Sequence, residues 1–462
     1  MAIGELLLVW NQWGVQIMVL VSFGLQVFLL AFGGTRRRSS STVLRIVLWL
    51  AYLSADSTVI YTLGHLSVAS SRSPEHLLVA FWAPFLLLHL GGPDNITAYA
   101  LEDNRLCLRH LQTLTVQALG AAYVIYKFIF IGSSQEGTLL LLGASISMFA
   151  AGLVKYGERV WALKCGNISS IASRFDSSDD KVWKPSRRLT SDGGEIDKEE
   201  MLLRAHSHFE ICKGAFTDVT VKHDSSRSMT ALSKSMIPDL YKLVEMELSL
   251  MYDILYTKAA VIHTWYGFCI HFISLLGTVA AALLFRLSIG SNGDRYSRVD
   301  VIITYVLLAG ALVLEAMSLC KATLCTWTCS FLDSNGWKRL LHIITYLRRH
   351  VQPASRRPWT GSIGQYNLLD LSTSDRNGIV SCAAKKVGLE NWWNTLRFSA
   401  TCSGSRFCSL EDLKVLVLET IAKTGTETKS RGRLALERNG FHGYVSRSVD
   451  EDLDKSIVFC TS

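Results

Sequence analysis

The sequence predicts an all-α integral membrane protein with about seven transmembrane helices, a cytoplasmic loop and a soluble C-terminal region. Three observations predict it. Of the 462 residues, 49% are hydrophobic and only 19% are charged, against the roughly 25% charged of soluble chains. Mean hydropathy is +0.25. Apolar windows approaching the ~20 residues that a helix needs to cross a hydrocarbon core recur along the chain. The 7 prolines argue against a disordered or linker-rich chain, which would enrich proline together with charge. A formal net charge of +8 would suggest nucleic acid in a soluble protein. Here the basic residues stand beside apolar windows, so topology explains them and no nucleic-acid partner is expected.

The first window runs from Trp13 to Gly33. No Lys or Arg precedes it and it exceeds the apolar run of a cleavable signal, so it is expected to remain as a span. Val43 to Leu66 follows, then a short Leu77 to Leu90 containing Pro84 and His89, which is either a crossing or a re-entrant segment. Thr115 to Ile131, Gly137 to Val154, Val261 to Phe285 and Val301 to Cys320 complete seven candidates. Arg36, Arg37, Arg38 and Arg45 mark the first connection as cytoplasmic, with Lys155, Arg159 and Lys164 later expected on the same side; Arg286, Arg295 and Arg298 dissent. The sequons at Asn95 and Asn167 then fall in the cytoplasm and stay unmodified. Trp10, Trp13, Trp82 and Trp265 are expected in interfacial belts, and Lys127 is expected to snorkel.

Four regions result: an N-terminal membrane domain of about five spans (1–154), a polar cytoplasmic loop (155–260), two further spans (261–320) and a cytoplasmic C-terminal region (321–462). Within the loop, 169–195 reads as a flexible insertion, and Met236 to Ala260 as an amphipathic helix running into the sixth span, with Leu240, Leu243, Leu250, Met251 and Ile254 at three-to-four spacing. After Gly91, Gly92 and Pro93, Asp94 or Asn95 is expected to cap a surface-lying helix carrying Glu102, Arg105 and Arg109.

Phosphate-binding glycine loops and nucleophile elbows are absent, so no enzymatic activity and no cofactor are expected. The 11 cysteines include no C-x-x-C pair; Cys320, Cys325 and Cys329 fit no zinc spacing and are candidates for palmitoylation. His206, His208 and Glu210 alternate as on a strand face, a weak metal pattern, and His263 and His271 stand eight residues apart on one helix, too far to share a metal ion. No metal site is therefore assigned. Asp56 lies midway through the second span among Ser54, Ser57 and Thr58, and Glu315 lies within the seventh. An intramembrane carboxylate is costly unless it is paired, hydrated or protonated. Each is either part of an ion or proton path or a packing residue hydrogen-bonded between helices. Arg36, Arg37, Arg38, Arg348 and Arg349 are candidate contacts to lipid headgroups.

Several segments together resemble a known family. "WNQWGVQIMVLVS" from Trp10, "FWAPFLLLHLGGPDNITAYALEDNRLCLRH" from Phe81, "KYGERVWALK" from Lys155, "ELSLMYDILYTKAAVIHTW" from Glu247 and "SIGQYNLLDL" from Ser362 are similar to the plant multi-pass membrane proteins grouped as domain of unknown function 4220. The resemblance spans Trp10 to Leu371 and implies architecture, a plant source and a membrane location, without a mechanism. Relatives often continue into domain of unknown function 594; "GRLALERNG" and "SVDEDLDKSIV" resemble its lead-in, and the chain is expected to lack most of that unit. The expected role is a non-enzymatic membrane scaffold or signalling component whose partners are the lipid bilayer and unidentified proteins. The alternative is a transporter or channel using Asp56 and Glu315.

Overall fold

The computed structural model describes residues 2–39, 41–68, 75–131, 136–176, 198–217, 237–292 and 296–351. The stretch 177–197 and everything after residue 351, including the lead-in to the second unit, lie outside the described residues. The chain divides into two compact units, one of Met1–His223 with Leu243–Ser405 and one of Asp224–Lys242 with Arg406–Ser462. The second is almost wholly outside the described residues; the first holds the helices set out below, apart from 237–242. Among the described residues there are helices and no strand.

The long helices are α1 (Ala2–Phe32), α2 (Thr42–Val68), α3 (Glu75–Leu90), then, after the short α4 (Leu101–Arg105), α5 (Cys107–Val124) and α6 (Glu136–Cys165). The chain continues through α7 (Ile168–Asp176), α8 (Lys198–Phe216), α9 (Ile237–Tyr256) and the single turn α10 (Ala259–Ile262) to α11 (Trp265–Asn292) and α12 (Arg298–Thr323). Two amphipathic helices, α13 (Thr326–Ser334) and α14 (Lys338–Val351), come last among the described residues. Among the described residues six helices are long and apolar enough to cross a membrane, and Leu77–Leu90 is a shorter apolar helix. Apolar side chains such as Leu53, Leu119, Leu283 and Val313 stand exposed on their outer faces, as a lipid-facing surface requires.

α3 is the centre of this bundle rather than an appendage. Its 16 residues span about 24 Å at about 1.5 Å per residue. Phe81, Trp82, Ala83, Phe85, Leu86, Leu87 and Leu90 are all fully buried, because a helix that is apolar on every face has no side to give to water. Trp82 therefore does not join an interfacial belt; its indole donates to Thr304 of α12 at 2.9 Å. Gly152 of α6 lets the two backbones touch, since a Cβ there would lie 2.9 Å from the Leu88 nitrogen.

The cross-helix contacts fix the direction of each element. Along α6 and α11, Gly137 pairs with Ser288, Ser147 with Gly277 and Lys155 with His271, so the two run antiparallel. α3 runs parallel to α6: Pro84 and Leu88 meet Gly152, and Leu90 meets Arg159. α1 runs parallel to α12, through Gln16 with Asp300 and Phe23 with Gly310. α2 begins, and α3 ends, at the connection 91–100, where Tyr52 and Tyr99 bond to Thr97 and Arg45. The order is alternating, with α3 carrying the chain from the end where α2 stops to the end where α5 starts. That second end, the elbow end, also carries α4, α9, α10 and α13.

Several boundaries differ from the sequence reading. α6 does not stop at Val154 but continues to Cys165, so Lys155 and Arg159 are buried helix residues instead of loop charges. The helix over the expected fourth span begins at Cys107, and Arg109 lies on it, not on a surface helix. Its end is a π-helical turn, Ile125–Phe130, in which Lys127 sits over the rings of Tyr123 and Phe128. α9 does form with Leu243, Leu250, Met251 and Ile254 buried, but it breaks before α10 and α11 instead of running into them. The expected strand alternation of His206, His208 and Glu210 falls on helix α8, where successive residues turn by about 100° and the three do not share a face. Part of the expected insertion, Ile168–Asp176, is helical.

Candidate functional site: a buried ionic network at the elbow end

Lys155, Glu158 and Arg159 stand at i, i+3 and i+4, one face of α6, and all three are at most 5% exposed. Glu158 is the hub. Lys258 Nζ lies 3.3 Å from its Oε2 and Lys155 Nζ 3.8 Å, while His271 Nε2 lies 3.2 Å from its Oε1. Lys155 also forms an ion pair with Glu315 at 3.1 Å and donates to His271 Nδ1 at 2.9 Å. An ammonium group only donates, so His271 Nδ1 is the acceptor of that contact.

The elbow supplies the remaining partners. Lys258, immediately before α10, donates to the Gly92 carbonyl at 3.1 Å and pairs with Asp94 at 3.3 Å, and its backbone N–H donates to the Asp94 carbonyl. Ser318 of α12 donates to the other Asp94 oxygen. Gly92 turns the chain at φ 65°, a left-handed conformation that glycine adopts without strain. Arg159 forms a bidentate pair with Asp56 of α2, at 2.7 and 3.1 Å, and donates to the Leu90 carbonyl at 2.8 Å. Four carboxylates (Asp56, Asp94, Glu158, Glu315) thus face three cations (Lys155, Arg159, Lys258) and one imidazole, drawn from α2, α6, α11, α12 and both connections.

Asp94 and Asn95 do not cap a following helix. Asn95 instead donates to the Leu29 and Leu30 carbonyls at the end of α1, and Asp103 accepts from the backbone N–H groups of Tyr99 and Ala100 before α4. Thr97 and Asn104 satisfy the carbonyls of Tyr256 and Leu255 as α9 ends.

Outside the spans, Arg37 pairs with Asp253 of α9 at 3.2 Å and donates to Ser249 at 2.8 Å. Burial pushes the Asp253 carboxyl up to about 6, against the opposing pull of Arg37. Arg36 lies over the rings of Tyr99 and Tyr256 at 4.1 and 4.8 Å. Trp327 of α13 packs edge-on against His206 and Phe209 of α8 and stacks with His263. Burial lowers His206 to about 3 and His263 to about 4, so both are neutral packing groups near neutral pH. Arg348 is 7% exposed, paired with Glu199 at 3.3 Å and donating to the Leu324 carbonyl.

Asp56 and Glu315, the two carboxylates singled out in the sequence, are therefore not in contact with each other. Each is paired to one helix, through Arg159 and Lys155 respectively. Of the five expected headgroup contacts, Arg36, Arg37 and Arg348 make the intramolecular contacts above, and Arg38 and Arg349 are exposed side chains. The residues that sequence reasoning missed are Lys155, Glu158, Arg159, Lys258 and Asp94; the signal was the run "KYGER", three charges on one helical face. His271, read from the sequence as a core or interfacial histidine on one helix with His263, belongs to the network, and His263 precedes α11, which begins at Trp265. Asp94, Glu158 and His271 offer ligand atoms within 4.8 Å of one another, but two lysine ammonium groups already neutralise them. Of the three cysteines considered for palmitoylation, Cys320 is exposed and Cys329 buried.

Over residues 49–372 the chain matches a family described as a domain of unknown function, DUF4220. The match begins inside α2, so the segment from Trp10 precedes it. No curated protein and no solved structure matches the chain.

Proposed function

The chain belongs to the DUF4220 family, and on that footing we propose that it is a non-enzymatic, multi-pass membrane scaffold whose elbow end is locked into a platform for protein partners. Seven helices cross the bilayer, α3 among them. The alternation of helix directions supports this count, because α5 starts at the end opposite to where α2 stops. Arg36, Arg37, Arg38, Arg45, Lys164, Lys321, Lys338 and Arg339 gather at or just beyond the elbow end, and the positive-inside bias then puts that end in the cytoplasm.

The observation that carries the scaffold reading is the pairing of every carboxylate in the network with a cation or hydroxyl from a different element. Asp56 is held by a two-toothed bond to a guanidinium that is itself anchored to α3. A carboxylate serving a transported ion must exchange partners readily; this one is fixed by a bidentate bond, the geometry of strong charge-assisted pairs. The competing reading, transport through Asp56 and Glu315, draws its support from a cavity of about 60 Å³ lined by Lys155, Glu315, Asp94 and Ser318, a polar space large enough to hold water.

Vesicles containing the purified chain separate the two. The scaffold reading expects Asp56→Asn to lower the melting temperature while proton and potassium permeability equals that of the native protein. A conductance present in the native protein and lost in a still-folded Asp56→Asn variant replaces it with transport.

A further inference from the structure

We propose that the cleft between α1 and α12 binds one acyl chain of an anionic phospholipid, with its phosphate on Lys321. This rests on the placement of the bundle in a bilayer and not on the scaffold role. The cleft holds about 370 Å³, within the roughly 300–1,000 Å³ of small-molecule sites. Its walls are Val27, Leu30 and Ala31 on one helix and Val313, Leu314 and Met317 on the other. The inner end is closed where Phe23 presses on Gly310, so closely that a Cβ on Gly310 would fall on the ring. Among the described residues Lys321 is the one charged group lining the cleft, and it stands at the elbow end.

Dimensions select the occupant. From Gly310 to Lys321 is 11 residues, about 16 Å of helix at about 1.5 Å per residue. That equals about half of a ~30 Å hydrocarbon core, the depth of one leaflet. Spreading 370 Å³ over that length gives a cross-section of about 23 Å², enough for one extended polymethylene chain. A helix, ~10 Å across, is too wide for a slot whose two walls close on each other where Phe23 presses on Gly310, so neither a second copy nor a partner helix fills it to its inner end. The outer edge is open to lipid, with Val27, Val313 and Met317 exposed. A lysine at headgroup depth with an apolar slot beneath it matches a phosphate followed by an acyl chain, and the basic residues around the elbow end add attraction of the same sign.

The test uses the full chain in phosphatidylcholine vesicles doped with a phospholipid carrying a photoreactive acyl chain, with either a phosphatidylglycerol or a phosphatidylcholine headgroup. Flotation first establishes insertion, so a failure of membrane placement is distinguished from a failure of this site. The expected result is that crosslinks at Val27, Val313 and Met317 are about fivefold more abundant with the anionic headgroup, the weight of roughly one lysine–phosphate contact. Lys321→Gln, an exposed substitution that leaves the fold intact, removes the excess. Crosslinks at Leu119, exposed on α5, show no such headgroup dependence. Equal labelling by the two lipids at the cleft, or an excess that survives Lys321→Gln, overturns the proposal.

Discussion

Glu158→Gln is expected to be the most damaging single substitution in the described part of the chain. The side chain is fully buried and shared by Lys258, Lys155 and His271. Charges taken out of water are tolerated only while their partners remain, and removing one partner of a buried pair costs about 3–5 kcal/mol. Against a typical total of about 5–15 kcal/mol, most of the protein is expected to leave detergent extraction aggregated, and the folded remainder to melt well below the native protein. Glu158→Asp keeps the charge on a shorter arm and is expected to fall between the two. Size-exclusion profiles with thermal melting measure this, and an unchanged melting curve for Glu158→Gln means that Glu158 is not the hub.

The second large effect is expected from Asp56 and Arg159, and it is asymmetric. Asp56→Leu leaves the Arg159 guanidinium, 4% exposed, without its carboxylate, whereas Arg159→Met leaves a carboxylate that can neutralise itself by taking up a proton, as a guanidinium cannot by losing one. The first is expected to cost about 3–5 kcal/mol and the second less. The double variant Asp56→Leu/Arg159→Met removes both charges and is expected to be more stable than Asp56→Leu alone, by about 2 kcal/mol. It does not regain native stability, because the Leu90 carbonyl loses its donor at a cost of about 1 kcal/mol. Additive losses in this double-mutant cycle would mean that the pair contributes nothing beyond its separate parts.

The long apolar helices are legible because hydrocarbon imposes length and composition directly on the sequence. The end of α6 is not. A charge after Val154 suggests the end of a span, yet the helix runs 11 residues further to Cys165, since other helices supply its counter-charges. Those partners lie 100 to 116 residues away along the chain for Lys258, Asp56 and His271, and no local pattern encodes such pairings. Asp56 and Glu315 are recognisable because a lone carboxylate in an apolar run is expensive. Glu158 is hidden by the span boundary that excludes it. Similarly, α3 is short for a crossing, although its apolar residues on every face fit a helix enclosed by others. His206 and His208 mislead because alternation over three residues does not distinguish a strand from a helix.

If the helices are tied together by this ionic network, the network must be closed to the aqueous phases on both sides. Ala311 lines the cavity beside Lys155 and Glu315 and is 3% exposed, so Ala311→Cys places a small thiol there without touching a charge. In a variant freed of its other cysteines, with a native-like melting temperature and reconstituted in sealed vesicles, an impermeant thiol reagent is applied to each side in turn. No labelling is expected from either side. Labelling from an aqueous side would show that water reaches the network, contradicting a sealed scaffold and making Asp56 and Glu315 the residues of a path.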